Sequence, residues 1–240
     1  MAGKKVNPTK SIGVLIQAWN EDSQIKDCIK SAEILTENIV HFKEEARYIE
    51  QLREYAIKRV EAEWVFLLDA DERITEELAQ EIKQVIKKTQ SSFFKVPRKN
   101  IFGKKKWLKH GGWWPDYQTR LIKKDAFVSW PKQIHATPKI KGEEGHLKQP
   151  LIHYFHGDFD SMVRKTILFE DIESDLLFGA NKSVSTPVFF RKFIGELYRR
   201  LIKQVGFLDG PIGIIEAVYQ AFSKTITYLY LYEKKKSRSI

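Results

Sequence analysis

From Ile12 to Ala18 the chain is apolar almost without a break (IGVLIQA). A run this short and rich in β-branched residues predicts a buried first strand, interrupted at Trp19-Asn20-Glu21-Asp22. Ile25, Cys28, Ile29 and Ala32 then share one helical face, and Tyr48, Leu52, Tyr55, Ala56 and Val60 repeat the pattern in a second helix. Trp64 to Leu68 (WVFLL) predicts another buried strand, which runs into Asp69-Ala70-Asp71-Glu72. Thr75 is placed to cap a third helix whose core stripe is Leu78, Ile82, Val85 and Ile86.

Strands alternating with helices imply an α/β fold with a mostly parallel sheet, and such folds bind ligands at the carboxyl ends of their strands. Both polar breaks fall at that edge. From Ser91 to about His153 the texture changes to short extended pieces punctuated by Gly and Pro, with Phe93–Val96, Thr119–Ile122 and Leu151–Tyr154 as the strand candidates. From Asp160 onward the pattern is helical, with breaks at Gly179–Thr186 and Gly206–Pro211. The expected division is a first domain over 1–157 and a helical region over 158–240.

Composition narrows the classes. The 240 residues are 42% hydrophobic and 30% charged, the balance of a folded globular chain with one catalytic unit. A net charge of +10 predicts attraction to anionic partners, which include nucleotides, acidic headgroups and nucleic acid. With Cys28 as the single cysteine no intramolecular disulfide forms, and the polar, basic stretch from Met1 to Lys10 lacks an apolar signal core. Both features point to the cytoplasm.

The chemistry concentrates at Asp69-Ala70-Asp71. Residues i and i+2 of a strand share a face, and two carboxylates there suit Mg²⁺ or Mn²⁺ bridging a diphosphate. The alternative is that Asp71 and Glu72 serve the dipole of the following helix and Asp69 is a solvated strand end.

Four segments carry a resemblance: QAWNED at Gln17–Asp22, LLDADERIT at Leu67–Thr75, WWPDYQTRLIKKD at Trp113–Asp125 and GFLDGPIG at Gly206–Gly213. Through them the chain resembles family 2 glycosyltransferases, and within these the branch similar to lipopolysaccharide core glucosyltransferases. The resemblance implies a GT-A-like core and inverting transfer of a sugar from a nucleotide-sugar donor, a UDP-sugar, to a hydroxyl of a glycan or lipid-linked acceptor in cell-envelope synthesis. It implies donor contacts from Ala18, Asn20, Glu21 and Arg53, and a metal on Asp69 and Asp71. It also implies a second strand after the first helix, ending in an aspartate and a Ser/Thr-Asp turn. No such strand or aspartate is legible at Glu37–Lys43, so the nucleotide-binding core is expected to be shortened by a strand and its helix. A chain so shortened could also be an inactive, membrane-associated relic acting as an interaction protein.

An inverting transfer needs a base. His135 occupies the position of the family's histidine, with Ala136 where a Glu usually follows; Asp116 in the WWPD loop is the other candidate. Trp113, Trp114, Gln118 and Arg120 are candidates for acceptor or phosphate contacts, although Arg120 could equally hold a strand edge. His153 and His156 have a metal-pair spacing but no partner at ligand spacing, which favours a structural role. Trp107, Trp113, Trp114 and Trp130 among Lys104, Lys105, Lys106 and Lys109 suit stacking on sugars or on single-stranded nucleic acid. No nucleic-acid-binding signature accompanies them.

Phe190, Phe193, Ile194, Leu197, Tyr198, Leu201, Ile202 and Val205 follow helical spacing, flanked by Arg191, Lys192, Arg199, Arg200 and Lys203. Two readings fit: a helix lying in the interface of an anionic membrane, or a surface helix packed on the core. The next apolar segment, Ile212–Tyr232, is interrupted by Glu216, Gln220 and Lys224, which argues for lying on a bilayer rather than spanning it. The expected location is therefore peripheral, on the inner face of the cell membrane.

Overall fold

A computed structural model describes residues 11–18, 24–133, 136–155 and 159–237. The chain is mixed α/β, and its elements run β1 (Ile12–Gln17), α1 (Ile25–Glu33), β2 (Ile39–Phe42), α2 (Glu50–Arg59), β3 (Trp64–Leu68), β4 (Glu72–Arg73) and α3 (Glu76–Val85). There follow β5 (Phe93–Phe102), β6 (Lys106–Trp107), β7 (Asp116–Lys123), β8 (Phe127–Ser129), β9 (Lys139–Ile140), β10 (Glu144–His146) and β11 (Leu151–Phe155). Three helices close the chain: α4 (Phe159–Gly179), α5 (Thr186–Tyr198) and α6 (Pro211–Ser237).

These elements form two compact units. The first holds residues 1–99 and 116–153, the second 100–115 and 154–240. The segment 100–115, which the sequence pattern assigns to the first domain, clusters with the helices instead.

In the first unit the sheet order is β2-β1-β3-β7-β5-β11-β4. β1 lies between β2 and β3, parallel to both, so all six of its residues are buried and its unbroken apolar run is explained. Beyond β3 the sheet turns antiparallel through β7 and β5. One face packs on α1 and α3, through Val14, Ile16, Phe66, Leu68, Cys28, Leu78 and Ile82; Leu15, Val65 and Leu67 pack on Ala56 and Ile57 of α2. Gly13 sits where β1 passes close to its neighbours: a Cβ there would come within 2.5 Å of Val60 Cγ1 and 3.0 Å of Asn38 Nδ2. α3 is capped as its sequence predicts, the Thr75 hydroxyl accepting from the Leu78 N–H at 3.2 Å.

The expectation of a missing second strand is corrected. Ile39–Phe42 pairs with β1 over four residues, and His41 Nε2 lies 3.1 Å from the Ala18 carbonyl oxygen. Only seven residues then separate the end of β2 from α2, and Lys43, not an aspartate, follows the strand.

In the second unit, α6 packs against both α4 and α5. The GFLDGPIG segment is a 3₁₀ turn (Gly206–Asp209) running into α6, and its chemistry is structural. Buried Asp209 accepts from the N–H groups of Lys109 and His110 at 2.9 and 2.8 Å and pairs with His110 Nδ1 at 2.9 Å, which fastens the 100–115 segment to the helices. Gly213 lies so close to the turn that a Cβ would meet the Gly206 carbonyl oxygen at 2.1 Å.

Candidate functional site

β3 ends at Leu68, and Asp69 to Asp71 form a turn. The Glu72 N–H donates to the Asp69 carbonyl at 2.9 Å, and the Asp69 N–H donates to Glu72 Oε2 at 3.0 Å. Arg73 holds the outside of this turn, its Nη1 donating to the Ala70 carbonyl at 2.9 Å and its Nη2 to that of Gln24 at 2.9 Å. Because the chain turns here, the face-sharing rule for strand residues does not apply, and the two aspartates take different surroundings.

Asp69 lies between two guanidinium groups. Arg53 of α2 donates to Oδ1 at 3.0 Å, and Arg120 of β7 lies 2.5 Å from Oδ2. The same Arg120 nitrogen lies 2.5 Å from Oε1 of fully buried Glu72, and Arg98 of β5 is 3.6 Å from that oxygen. Arg98 in turn reaches Asp116 Oδ2 through Nε at 2.8 Å and Nη2 at 2.6 Å. The pair is set by register, since Arg98 stands opposite Asp116 across β5 and β7. Three arginines and three carboxylates thus neutralise one another at the carboxyl edge of β3.

Burial opposes ionisation of Asp69, but the charges and hydrogen bonds of Arg120 and Arg53 outweigh it and hold the carboxyl well below the usual range. For Glu72 the balance goes the other way: burial, aided by the Asp69 charge, raises its pKa against the pull of Arg120 and Arg98. Arg120 stays charged, because Asp69 and Glu72 overcome its own desolvation.

Several polar atoms in this region are buried and carry no hydrogen bond: Nε and Nη1 of Arg53, Nε of Arg120, Nε1 of Trp130 and Oε1 of Gln17. The Arg53 guanidinium lies over the Trp130 ring, 5.4 Å from its centroid, and the Trp130 backbone N–H donates to Glu54 Oε2 at 3.1 Å. Buried donors left unmatched are rare and costly, so a cluster of them calls for a partner.

The predicted site residues divide accordingly. Arg53, Asp69 and Arg120 converge. Gln118 donates to Asp116 Oδ1 at 2.8 Å, so both oxygens of Asp116 already serve donors. Ala18 donates its N–H to the Phe42 carbonyl at 3.1 Å, and its carbonyl oxygen lies 3.1 Å from His41 Nε2. Trp113 and Trp114 belong to the second unit, where Trp113 stacks on Phe155 at 4.7 Å with Arg200 over its ring, and Trp114 meets Trp107 edge-on. Asn20, Glu21 and His135 lie outside the described residues. Arg98 is absent from the sequence reading, Glu72 enters it only as a helix-dipole acid, Gln17 only within a motif segment and Trp130 only as a stacking ring; the register of β5 on β7 and the turn after β3 bring Arg98 and Glu72 to the site.

A divalent ion would find one carboxylate of the pair already committed, since each Asp69 oxygen has an arginine donor. Asp71 Oδ2 lies 3.6 Å from His153 Nε2, the histidine that stands opposite Glu72 across β4 and β11. Among the described residues no three His, Cys, Asp or Glu are assembled as a ligand set. A Mg²⁺ or Mn²⁺ beside Asp71 and His153 would take Asp71 as its hard oxygen donor and most of its other ligands from a substrate's phosphates and water.

No family model matches the chain. Among solved structures it is similar to the crystal structure of S. aureus TarS 1–349, at 12% identity and a TM-score of 0.45, over 95% of this chain and 92% of that one. It is also similar to the same protein in complex with UDP (11%, TM-score 0.44) and with UDP-GlcNAc (11%, TM-score 0.39), over the same shares of the two chains.

Proposed function

We propose that the chain is an inverting family 2 glycosyltransferase with a GT-A-like core, moving a hexose from a nucleotide-sugar donor to a hydroxyl of a glycan or lipid-linked acceptor of the cell envelope. The observation that carries this reading is the set of unmatched N–H groups on Arg53 and Trp130, beside Asp69 at the carboxyl edge of β3. A nucleoside diphosphate presents the acceptors these donors lack. The edge where it would bind is where parallel sheets bind ligands. The four motif segments support the same assignment.

In this reading Arg53 and Trp130 bind the nucleotide, while Arg120, Glu72 and Arg98 hold Asp69 and Arg53 in place. Asp71, with His153 beside it, would hold the Mg²⁺ or Mn²⁺, which would supply Lewis-acid stabilisation of the departing diphosphate. The acceptor oxygen attacks the anomeric carbon as the bond to the diphosphate oxygen breaks, and the hydroxyl proton passes to a base. With both oxygens of Asp116 engaged, His135 is the remaining candidate for that base.

The competing reading is an inactive relic. It is favoured by one observation: β2 ends at Phe42 with Lys43 after it, where an acid gripping the nucleoside is expected. Release of UDP from a panel of UDP-hexoses, measured with and without a cell-lipid extract, separates the two. Acceptor-stimulated release lost in Asp71→Asn supports the transferase; no release above the variant's level supports the relic.

A further inference from the structure

We infer that the second unit docks in the plane of an anionic lipid surface through the outer row of α5 and the turn that follows it. The apolar stripe of this segment is two rows wide. Phe189, Phe193, Leu197 and Leu201 are half-buried, whereas Phe190, Ile194, Tyr198 and Ile202, spaced four apart, are all more than half exposed. The 3₁₀ turn adds Phe207 and Leu208, exposed at its tip. α6 continues the theme, with Ile215, Val218 and Phe222 on one exposed stripe. Isolated exposed apolar residues are ordinary; rows of them along two adjoining helices mark an interaction surface.

The charges choose the occupant. Between residues 182 and 232 the exposed charges are Lys182, Arg191, Lys192 and Lys203, all basic. The acids of the same stretch are withdrawn: Glu196 pairs with Arg199 and Arg200, while Asp209 and Glu216 are buried. A second copy of the chain meeting this face about a two-fold axis would set these cations against their own images. Anionic headgroups would complement them, with the apolar rows entering the acyl boundary and the lysine and arginine stems reaching the phosphates. Among the described residues no helix is long and apolar enough to cross a membrane, in keeping with an in-plane position.

The inference deepens the acceptor side of the proposed function and rests on that reading for its purpose, but its test reads lipid binding alone. The full chain is floated with vesicles of phosphatidylcholine and with vesicles containing phosphatidylglycerol. Capture by the anionic vesicles is expected, weakened about ten-fold or more by Arg191→Ser with Lys192→Ser, and likewise by Phe190→Ser with Ile194→Ser. These side chains are exposed, so the variants should keep the wild-type circular dichroism and nucleotide binding. Equal capture of wild type and both variants overturns the inference, as does a folded wild-type chain that ignores anionic vesicles. So does a concentration-dependent dimer in light scattering that Phe190→Ser with Ile194→Ser abolishes, since the face would then belong to a second copy. A failure of UDP binding with vesicle capture intact would count against the transferase and leave the docking face standing.

Discussion

One nitrogen of Arg120 lies 2.5 Å from Asp69 Oδ2 and equally close to Glu72 Oε1, so a single guanidinium on β7 anchors both acids of the turn that ends β3. The turn therefore depends on side chains far along the chain. Removing one member leaves the others buried without their counter-charge.

Asp69→Asn should destabilise the fold by about 3–5 kcal/mol, the usual cost of breaking a buried ion pair from one side. The effect has a pH signature. The Asp69 carboxyl is held below its ordinary 3.8, so its contribution is complete above that pH and drains away as the pH falls through the lower folded value. The gap in urea midpoint between wild type and variant should be constant from pH 7 to pH 5 and narrow below pH 4. A gap that widens in acid would contradict the assignment.

Cys28 offers a second titration. Burial, opposed by Arg73, pushes its thiol from 9.0 up to about 12, and its Sγ–H reaches the Asp69 carbonyl at 3.4 Å. The thiolate is the reactive form, so a disulfide reagent at pH 8 should label the native chain only at the rate at which it opens. With the folded pKa raised, stability associated with the thiol is intact below pH 9 and is lost above it, by about 1.4 kcal/mol per pH unit until about pH 12. Cys28→Ala should remove that share of the alkaline slope in urea titrations; an unchanged slope would refute it.

Gly13→Ala tests the close passage of β1 past Val60. The new methyl would press on Val60, itself fully buried, and should cost about 1–3 kcal/mol. Combining it with Val60→Ala should recover part of that loss; equal stability of wild type and the single variant would mean that β1 and Val60 have room to part.

The sequence displays the centre of the sheet clearly and its edges poorly. β1 and β3 announce themselves as unbroken apolar runs because both of their faces are covered. β2 does not: three of its four residues are only partly buried, and its strand character comes from pairing with β1. The aspartates of the site stand out by spacing, yet their division of labour does not. That division depends on a turn where a strand is the natural reading, and on arginines delivered by β7 and β5 from some 30 to 50 residues away. The double row on α5 reads as one stripe until α6 is seen to cover only part of it.

Arg53→Met separates binding from folding. Asp69 would keep Arg120 as its partner, so the melting temperature should shift less than in Asp69→Asn, while affinity for UDP should fall about ten-fold or more, the loss of a charge-assisted hydrogen bond. Loss of stability with unchanged affinity would make Arg53 a structural residue only.

The most direct test is calorimetric titration of the chain with UDP, with and without Mn²⁺, alongside Asp71→Asn and His153→Ala. Binding that Mn²⁺ strengthens is expected in the wild type, with the metal dependence lost in both variants while their folds remain intact. No binding of UDP by the folded wild-type chain, or metal-dependent binding that both variants retain, would contradict a nucleotide site at the end of β3.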